Sequence, residues 1–431
     1  MSPIIAKVEG FVSTPSWLVL RLRGTGKDAV FSGRVGEFFR MTNPVRIGLA
    51  GAGFAARFHL QNLRRVYGVP VEIVGVTSRS AASRERFAQE TGVRGWERFE
   101  DLCEAADVVD VCTPPSAHEE MAVAALERGK HVIVEKPFTG YFGEGRADFR
   151  GDRFEKTTML EQATASCERI LEAERANGKT VCYAENWVYA PVIEKEREIV
   201  VKSGAQVLWM MGNQSHSGSH SPYYGQWRFS GGGSMVGKGC HPLSAALHLK
   251  RAEGMGREGR AIRPATVSAR THAITRLDGY RDAGFLRTSY DDIEDYAQIH
   301  VTFSDGTVAD LFASELVLGG VSNWLEVMAN NHRTRCHLNP MDAVETFTPG
   351  AEALREVYVT EKIETKQGWN QPAADEAWQH GYPQEFQDFM ESLATGREPL
   401  AGAELARDTM ATLYAGYVSA ERGGAEVAIP A

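Results

Sequence analysis

The segment VVDVCTPPSAHEEMAVAALERGKHVIVEKP, residues 108–137, decides the fold of this chain. Two short apolar runs, 108–112 and 131–134, flank a stretch with helical patterning, which is typical of a strand–helix–strand unit. Lys136 follows the second run, between a carboxylate and a proline. Because ligands bind beyond the carboxyl ends of parallel strands, this lysine lies where chemistry would occur. The segment therefore predicts an α/β protein that uses a cofactor.

The composition excludes several classes of protein. The 431 residues are enough for two domains of about 100–200 residues each. The formal charge of −9 argues against binding to nucleic acid or to a membrane surface, and no apolar run approaches the ~18 residues of a membrane-spanning helix. Six scattered cysteines without a CxxC pair predict reduced, buried thiols in a cytoplasmic protein, with neither a disulfide framework nor a structural metal.

The first 40 residues differ in character from the rest. They are more basic than acidic and lack the apolar core of a signal peptide. The stretch Gly24–Lys27 is not a P-loop, because the upstream glycine spacing is wrong and Asp28 replaces the expected hydroxyl residue. Met41 directly precedes a strong strand pattern. We therefore expect translation to start at Met41, or residues 1–43 to form a disordered leader.

Strand and helix patterns alternate over residues 44–184, which predicts a doubly wound parallel sheet, the Rossmann fold. An irregular stretch from Thr139 to Lys156, rich in Gly, Asp, Arg and Phe, predicts an insert over about 139–160. The predicted strands are 45–50, 71–77, 108–113, 131–134 and 181–184, and the predicted helices begin after the turn at 51–56 and cover 81–91 and 160–177.

The turn GAGFAA, residues 51–56, suits a dinucleotide. Gly51 permits the tight turn, and Gly53 lets the backbone approach a pyrophosphate at the helix N-terminus. The second strand ends in Ser78 and Arg79 rather than in the carboxylate expected for an NAD ribose. These two residues would suit the 2′-phosphate of NADP, but Arg79 could equally stack on adenine or face solvent. The predicted cofactor is therefore NAD or NADP.

Residues 185–431 predict a second domain of the α+β class, with an open, mostly antiparallel sheet. Asp305-Gly306 is a strong hairpin signal. Two amphipathic helices are predicted at 383–395 and 403–419, and they could pack back on the first domain. The predicted strands of this domain are 207–212, 265–271, 296–303, 308–314 and 324–329.

A polar and aromatic cluster precedes the glycine run of the second domain. It contains His216, His220, Trp227 and Arg228 within a serine-rich stretch, which favours a carbohydrate pocket or a plain loop. The two histidines are four residues apart, a spacing that suits a metal only on a helix, and Gly218 argues against a helix there. We therefore predict no metal site.

Four motifs carry a family resemblance: GLAGAGFAARFH (48–59), VDVCTPPSAH (109–118), ALERGKHVIVEKP (125–137) and GGGSMVGKGCH (231–241). With them, the chain from Val45 onward resembles the Gfo/Idh/MocA oxidoreductases. The resemblance implies a Rossmann domain and a second α/β domain whose open sheet carries the substrate site and often an oligomer interface. We therefore expect a homodimer or homotetramer and a small carbohydrate substrate.

The resemblance also implies roles for individual residues. Lys136 would polarise the substrate oxygen near the nicotinamide, and His241 would be the general acid/base. The family's aspartate position is Gly237 here, and Lys238 follows it. Either the proton relay runs differently, or the substrate is anionic and meets Lys238, or Lys238 faces solvent. The residues expected to bind cofactor are Gly51, Gly53, Phe54, Ala55, Ser78, Arg79, Thr113, Pro114, Pro115, His118, Glu135 and Lys136, and those expected to bind substrate are His216, His220, Trp227, Arg228 and Lys238.

Three functions follow from these residues. The leading hypothesis is an NAD(P)-dependent oxidoreductase that moves hydride between nicotinamide and a sugar, polyol or pyranoside. The alternative is an NAD-dependent glycoside hydrolase on the same fold, which would oxidise a ring hydroxyl, eliminate the aglycone, add water and reduce the ring again. An anionic sugar would suit this alternative. A cofactor-binding sensor is a third hypothesis, disfavoured because Lys136 and His241 are both present and no basic patch would read DNA.

Overall fold

The computed structural model describes residues 43–219, 221, 224–287, 289–339 and 342–430, and the backbone of three strands before them. Those strands pair antiparallel in chain order: β1 (Lys7–Val8), β2 (Trp17–Arg23) and β3 (Ala29–Arg34). The rest of the predicted leader, with Met41, lies outside the described residues. The expected start at Met41 therefore stays a prediction.

Six parallel strands form the first sheet, in the order β6-β5-β4-β7-β8-β9. They are β4 (Val45–Ala50), β5 (Val71–Thr77), β6 (Gly95–Trp96), β7 (Val108–Val111), β8 (His131–Glu135) and β9 (Val181–Ala184). The strand order reverses beside β4, which has β5 on one side and β7 on the other, and this is the point at which open α/β sheets bind ligands. The predicted Rossmann sheet is confirmed.

Five helices connect these strands: α1 (Phe54–Leu63), α2 (Ala81–Thr91), α3 (Phe99–Ala105), α4 (His118–Glu127) and α5 (Lys156–Asn177). Local chemistry sets the bounds of α2. The Ser80 hydroxyl accepts a hydrogen bond from the Ser83 N–H at 3.2 Å, and Gly92 ends the helix with a φ of 75°. The apolar run of β7 is buried along its whole length, as a central parallel strand requires.

The insert between β8 and α5, residues 139–155, contains no helix or strand and packs against the second domain. The backbone N–H of Tyr141 donates to the Tyr414 hydroxyl at 2.8 Å, and Trp227 Nε1 donates to the Tyr141 carbonyl at 3.2 Å. A Cβ at Gly151 would lie 2.2 Å from the Trp227 ring, so only glycine fits there. The insert therefore joins the two domains.

Seven strands form the second sheet, in the order β15-β14-β10-β13-β12-β11-β18. They are β10 (Val207–Ser215), β11 (Pro264–His272), β12 (Tyr296–Phe303), β13 (Val308–Ser314), β14 (Ser322–Ala329), β15 (Arg333–Asn339) and β18 (Val427–Ala428). The β10–β13 pair is parallel and the other neighbours are antiparallel, which confirms the mostly antiparallel prediction. The predicted hairpin joins β12 to β13, with Gly306 at a φ of 82°.

The described part of the second domain contains seven α-helices: α6 (Pro191–Ser203), α7 (Trp227–Ser230), α8 (Ser234–Gly237), α9 (Cys240–Glu258), α10 (Glu376–Gln379), α11 (Tyr382–Thr395) and α12 (Ala403–Glu421). A small hairpin adds β16 (Thr346–Thr348) and β17 (Gly368–Asn370). Short 3-10 helices cover Pro115–Ala117, Asn186–Tyr189, Ile274–Arg276 and Ala351–Leu354. Helix α12 packs on α5 of the first domain, where Arg407 Nε lies 2.9 Å from Glu168 Oε1.

The helices and the cysteines bear on two further predictions from the sequence. None of the helices in the described ranges is both long and apolar enough to cross a bilayer. All six cysteines are free and buried, which confirms the prediction of buried thiols.

Candidate active site

The turn between β4 and α1 has the geometry of a phosphate cradle. Gly51 takes a φ of 117°, and a Cβ there would lie 2.5 Å from the carbonyl oxygen of Cys112. Gly53 precedes α1, and its Cβ would meet open space. The helix lacks a side-chain cap and an acidic residue in its first turn, so the N–H groups at Phe54 and Ala55 are available to an anion. These residues fit the pyrophosphate of a dinucleotide.

The end of β5 holds no carboxylate. The strand ends at the buried Thr77, and Ser78 and Arg79 follow it. The Ser78 carbonyl accepts a hydrogen bond from Arg84 at 3.3 Å, whereas the Arg79 side chain is exposed. An exposed guanidinium at this edge is compatible with all three positions that the sequence left open: on a ribose 2′-phosphate, on adenine or in solvent.

His118 ties together the two strand ends that were predicted to face the cofactor. Its Nε2 lies 2.9 Å from the carbonyl oxygen of Thr113, beside Pro114 and Pro115, and its Nδ1 lies 3.0 Å from that of Pro137. Burial lowers the pKa of His118, and these carbonyl acceptors oppose that shift. The side chain fixes both loops, and a direct cofactor contact stays a prediction.

A buried charge network lies beneath the cofactor edge. The ring of His59 places Nδ1 3.0 Å from Asp110 and Nε2 3.2 Å from Glu135. Burial opposes the charged imidazole, but Asp110 and the Cys112 sulfur together raise the pKa of His59 well above its usual range. Both ring nitrogens therefore donate, and the imidazolium holds Glu135 next to Lys136.

The strand register brings Lys136 beside a carboxylate. Glu135 of β8 pairs with Ala184 of β9, so the next residues, Lys136 and Glu185, follow adjacent strand ends. Burial tends to lower the pKa of Lys136, but the facing Cys240 sulfur and the carboxylates of Glu135 and Glu185 raise it above its usual value. The lysine is therefore an ammonium at neutral pH. The Lys136–Pro137 peptide bond is cis.

His241, from the second domain, contacts the Glu185 carboxylate. It lies in the first turn of α9, and its Nδ1 is 2.5 Å from Glu185 Oε1. Both side chains are buried, and the Trp187 ring stacks on the imidazole at a centroid distance of 6.0 Å. Lys136, Glu185 and His241 thus form one group at the domain junction, with Lys136 from the first domain and His241 from the second.

Lys238 lies in a second buried cluster with His216. Its ammonium forms an ion pair with Glu315, which follows β13, and donates to the Ser219 hydroxyl at 3.1 Å. Lys238 is 2% exposed and Glu315 is 0% exposed. His216 Nδ1 lies 3.7 Å from the second Glu315 oxygen, Oε2. Burial lowers the pKa of Lys238, and Glu315 opposes that shift. The lysine is therefore neither solvent-facing nor an uncompensated charge.

The other predicted substrate residues lie elsewhere or outside the described structure. Trp227 is buried against the insert, and Arg228 donates at 3.0 Å to the carbonyls of Ala147 and Phe149, also in the insert. The structure therefore groups these two residues with the insert rather than with Lys136 and His241. His220 lies outside the described residues.

Sequence reasoning missed Glu185, Glu315 and His59. Glu185 had a usable signal, since it directly follows a predicted strand of the parallel sheet, as Lys136 does. Glu315 also follows a predicted strand, but its pairing with Lys238 depends on a contact 77 residues apart. His59 lies in the quoted glycine-turn motif, but its partners come from two other strands.

Two sets of potential metal ligands occur among the described residues. They are His59 with Asp110 and Cys112, and Glu185 with Cys240 and His241, each with ligand atoms within 4.8 Å of one another. Hydrogen bonds already join the histidine to a carboxylate in both sets. The predicted absence of a metal stays a prediction.

A family model described as "Oxidoreductase family, NAD-binding Rossmann fold", that of Gfo/Idh/MocA, matches residues 45–147. The matched range includes the phosphate cradle, the Thr113-Pro114-Pro115 strand end and Lys136. Residues 45–147 therefore match the NAD-binding domain of the Gfo/Idh/MocA oxidoreductases, the family that the motifs indicated.

Curated relatives match about a quarter of the chain. One is 4-carboxy-2-hydroxymuconate-6-semialdehyde dehydrogenase of Sphingobium sp., 38% identical over 108 residues, which are 24% of this chain and 33% of the relative. Another is scyllo-inositol 2-dehydrogenase (NAD(+)) of Bacillus subtilis, 34% identical over 111 residues, or 25% and 32% of the two chains. The chain therefore spans about a third of the length of these relatives.

Solved structures extend the likeness to both domains. GenD2 from gentamicin A biosynthesis, solved in complex with NAD, has a TM-score of 0.72 at 21% identity and covers 91% of this chain and 98% of its own. The WlbA dehydrogenase from Bordetella pertussis, solved with NADH and UDP-GlcNAcA, has a TM-score of 0.63 at 15% identity, covering 90% and 99%. At these identities the likeness establishes the two-domain fold.

Proposed function

We propose that this chain is an NAD(P)-dependent dehydrogenase or reductase of sugars, polyols or related pyranosides. The observation that carries the proposal is the group formed by Lys136, Glu185 and His241 at the edge of a sheet that also bears the phosphate cradle. An ammonium and an imidazole from two domains converge on the place where a nicotinamide and a hydroxyl would meet.

Each residue has a definite task in the oxidation of an alcohol. A bound nicotinamide would accept the hydride from the carbon that carries the hydroxyl. The Lys136 ammonium donates a hydrogen bond to the oxygen of that hydroxyl and stabilises its developing negative charge. His241 takes the hydroxyl proton at Nε2, the ring nitrogen that does not face Glu185. Reduction of a ketone uses the same groups in reverse, with His241 returning the proton.

Two observations support a polyhydroxylated substrate. The cluster around Lys238 contains the hydroxyl groups of Ser219 and Tyr224 and the imidazole of His216, and such groups suit sugar hydroxyls. The relatives that match part of the chain include scyllo-inositol 2-dehydrogenase of Bacillus subtilis and UDP-N-acetylglucosamine 3-dehydrogenase of Acidithiobacillus ferrooxidans. Because Glu315 neutralises the charge of Lys238, this cluster does not need an anionic group on the substrate.

One experiment tests the oxidoreductase proposal. The cofactor released from denatured protein is identified by mass, and the protein is then assayed with NAD and with NADP against a panel of inositols, hexoses and nucleotide sugars. We expect net formation of NADH or NADPH with at least one member. A protein that binds neither dinucleotide would refute the proposal.

The hydrolase alternative is tested in the same series. Release of nitrophenol from a nitrophenyl glycoside without net NADH would indicate a redox-neutral cycle. No contact in the described structure favours that cycle over simple oxidation, and the relatives named above are dehydrogenases. We therefore retain net oxidation or reduction as the proposed reaction.

We also propose a homo-oligomer in the cytoplasm. The face of the second sheet opposite α9 presents Trp209 on β10, which is 38% exposed beside the buried Met210, and such a surface suits contact with a second copy. Six free, buried thiols suit a reducing compartment. Light scattering coupled to size exclusion tests the oligomer, and a monomer at micromolar concentration would contradict it.

A further inference from the structure

The carboxylate that position 237 lacks is supplied from another element. We propose that Glu185, at the end of β9, is the positioning residue of His241, an inference that rests on the proposed dehydrogenase function. Gly237 lies four residues before His241 and offers no carboxylate, at the position where the family resemblance implies an aspartate. Glu185 instead approaches the histidine from the first domain's sheet.

The hydrogen bond between the two side chains fixes the tautomer of His241. Glu185 Oε1 lies 2.5 Å from His241 Nδ1, and both residues are at least 97% buried. A carboxylate accepts, so Nδ1 holds the hydrogen and Nε2 keeps its lone pair for the substrate hydroxyl. When Nε2 takes the proton, the adjacent negative charge of Glu185 stabilises the imidazolium.

The fold leaves no room for the carboxylate at position 237. A Cβ on Gly237 would lie 2.9 Å from Cε2 of Tyr224 and 3.0 Å from its hydroxyl oxygen. The Tyr224 ring packs against Lys238, whose ammonium lies 5.1 Å from the ring centroid, and against the edge of Tyr290 at a centroid distance of 5.8 Å. An aspartate at 237 would therefore displace a packed ring, whereas Glu185 reaches His241 without displacing anything.

Strand register explains why Glu185 can do this. It follows the residue paired with Glu135, so it emerges beside Lys136 at the same sheet edge. Its carboxylate is among the groups that raise the pKa of Lys136. The Glu185 carboxylate thus hydrogen-bonds the imidazole of His241 and also favours the charged form of Lys136.

The chain contains a matched control for this pair. Glu196 of α6 is also fully buried and also pairs with a histidine, since its Oε1 lies 2.8 Å from His332 Nε2. Each glutamate leaves its Oε2 without a hydrogen-bond partner in the described structure. Glu196 has no part in the proposed chemistry, so Glu196→Gln reports what loss of such a charge does to folding alone.

The decisive comparison is Glu185→Gln against Glu196→Gln. We expect Glu185→Gln to lower kcat about 100-fold, in the range of a general acid/base contribution, with KM and NADH affinity near wild type. Glu196→Gln should leave kcat unchanged. Equal kcat values for wild type and Glu185→Gln would overturn the inference, whereas an inactive wild type would refute the proposed function instead.

A second measurement is made on the wild-type protein, and variants serve only to assign its signal. The proton NMR spectrum of wild-type holoenzyme should show a far-downfield resonance from the His241 Nδ1 hydrogen, absent in His241→Gln and present in Glu196→Gln. A wild-type spectrum without it would overturn the inference. So would loss of activity on treatment with a chelator, because Glu185, Cys240 and His241 would then be assigned to a metal ion.

Discussion

Gly53→Ala separates cofactor binding from folding more cleanly than any other change in the cradle. The added methyl group meets no protein atom within 4 Å, and the backbone at Gly53 has a φ of −94°, which alanine adopts without strain. If a pyrophosphate lies over the N-terminus of α1, however, the methyl group occupies the space that the phosphate needs. We therefore expect Gly53→Ala to fold as wild type does and to bind the dinucleotide more weakly.

The magnitudes follow from the contacts at stake. Losing two charged hydrogen bonds from the first turn of α1, at about 1.5 kcal/mol each, weakens binding by about 3 kcal/mol, or roughly 100-fold in Kd. Stability should stay the same or rise by about 0.5 kcal/mol, because alanine reduces the entropy of the unfolded chain. Fluorescence titration with NADH measures the first quantity and urea unfolding without cofactor measures the second.

The control is Gly51→Ala, at the other glycine of the turn. Its Cβ would lie 2.5 Å from the Cys112 carbonyl oxygen, and its φ of 117° is strained for alanine. This variant should lose stability as well as NADH affinity. If Gly53→Ala binds NADH as tightly as wild type does, the pyrophosphate is not at this turn and the cradle is misassigned.

Three other predictions test charge and cofactor choice. Burial raises the pKa of Glu294 from 4.5 to about 7, so the folded protein loses stability as the pH rises between these values. Over that interval the free energy of unfolding of Glu294→Gln should increase by about 3 kcal/mol relative to that of wild type. A difference between the two proteins that stays constant with pH in urea unfolding would contradict this. Arg79→Ala should weaken NADP(H) binding more than NAD(H) binding, by about 10-fold in the Kd ratio, and an unchanged ratio places the guanidinium away from the 2′-phosphate. His59→Leu should cost about 3–5 kcal/mol, the usual penalty for removing the charged partner of a buried carboxylate, here Asp110. A loss below ~1 kcal/mol at pH 7 in urea unfolding would show that this carboxyl group is neutral.

The sequence predicted the first domain well because its signals are local. The strands Val71–Thr77 and Val181–Ala184 and the helix Ala81–Thr91 have the predicted bounds, since apolar runs and capping residues determine them. The predicted β12–β13 hairpin follows in the same way from Asp305-Gly306. Helix α9 was not predicted, because its buried face includes polar residues such as His248 and Lys250.

The site was only half predictable, because its partners are distant in the chain. Lys136 and His241 could be named from motifs, but Glu185 lies 56 residues from His241, and only the folded domains bring the two together. Lys238 was expected to meet a substrate or solvent, and its neutralisation by Glu315 could not be inferred without the second sheet. Pairwise burial of charge is a property of the tertiary structure, which one sequence does not reveal.

Single-turnover oxidation is the most direct test of hydride transfer assisted by Lys136. Protein saturated with NAD, or with NADP where that is the bound cofactor, is mixed with the best substrate of the panel and with the same substrate deuterated at the oxidised carbon. We expect reduced nicotinamide to appear in the first turnover, deuterium to slow its formation, and Lys136→Met to slow it by about 100-fold or more. Absence of reduced nicotinamide in that turnover, or an undiminished rate in Lys136→Met, would contradict this mechanism.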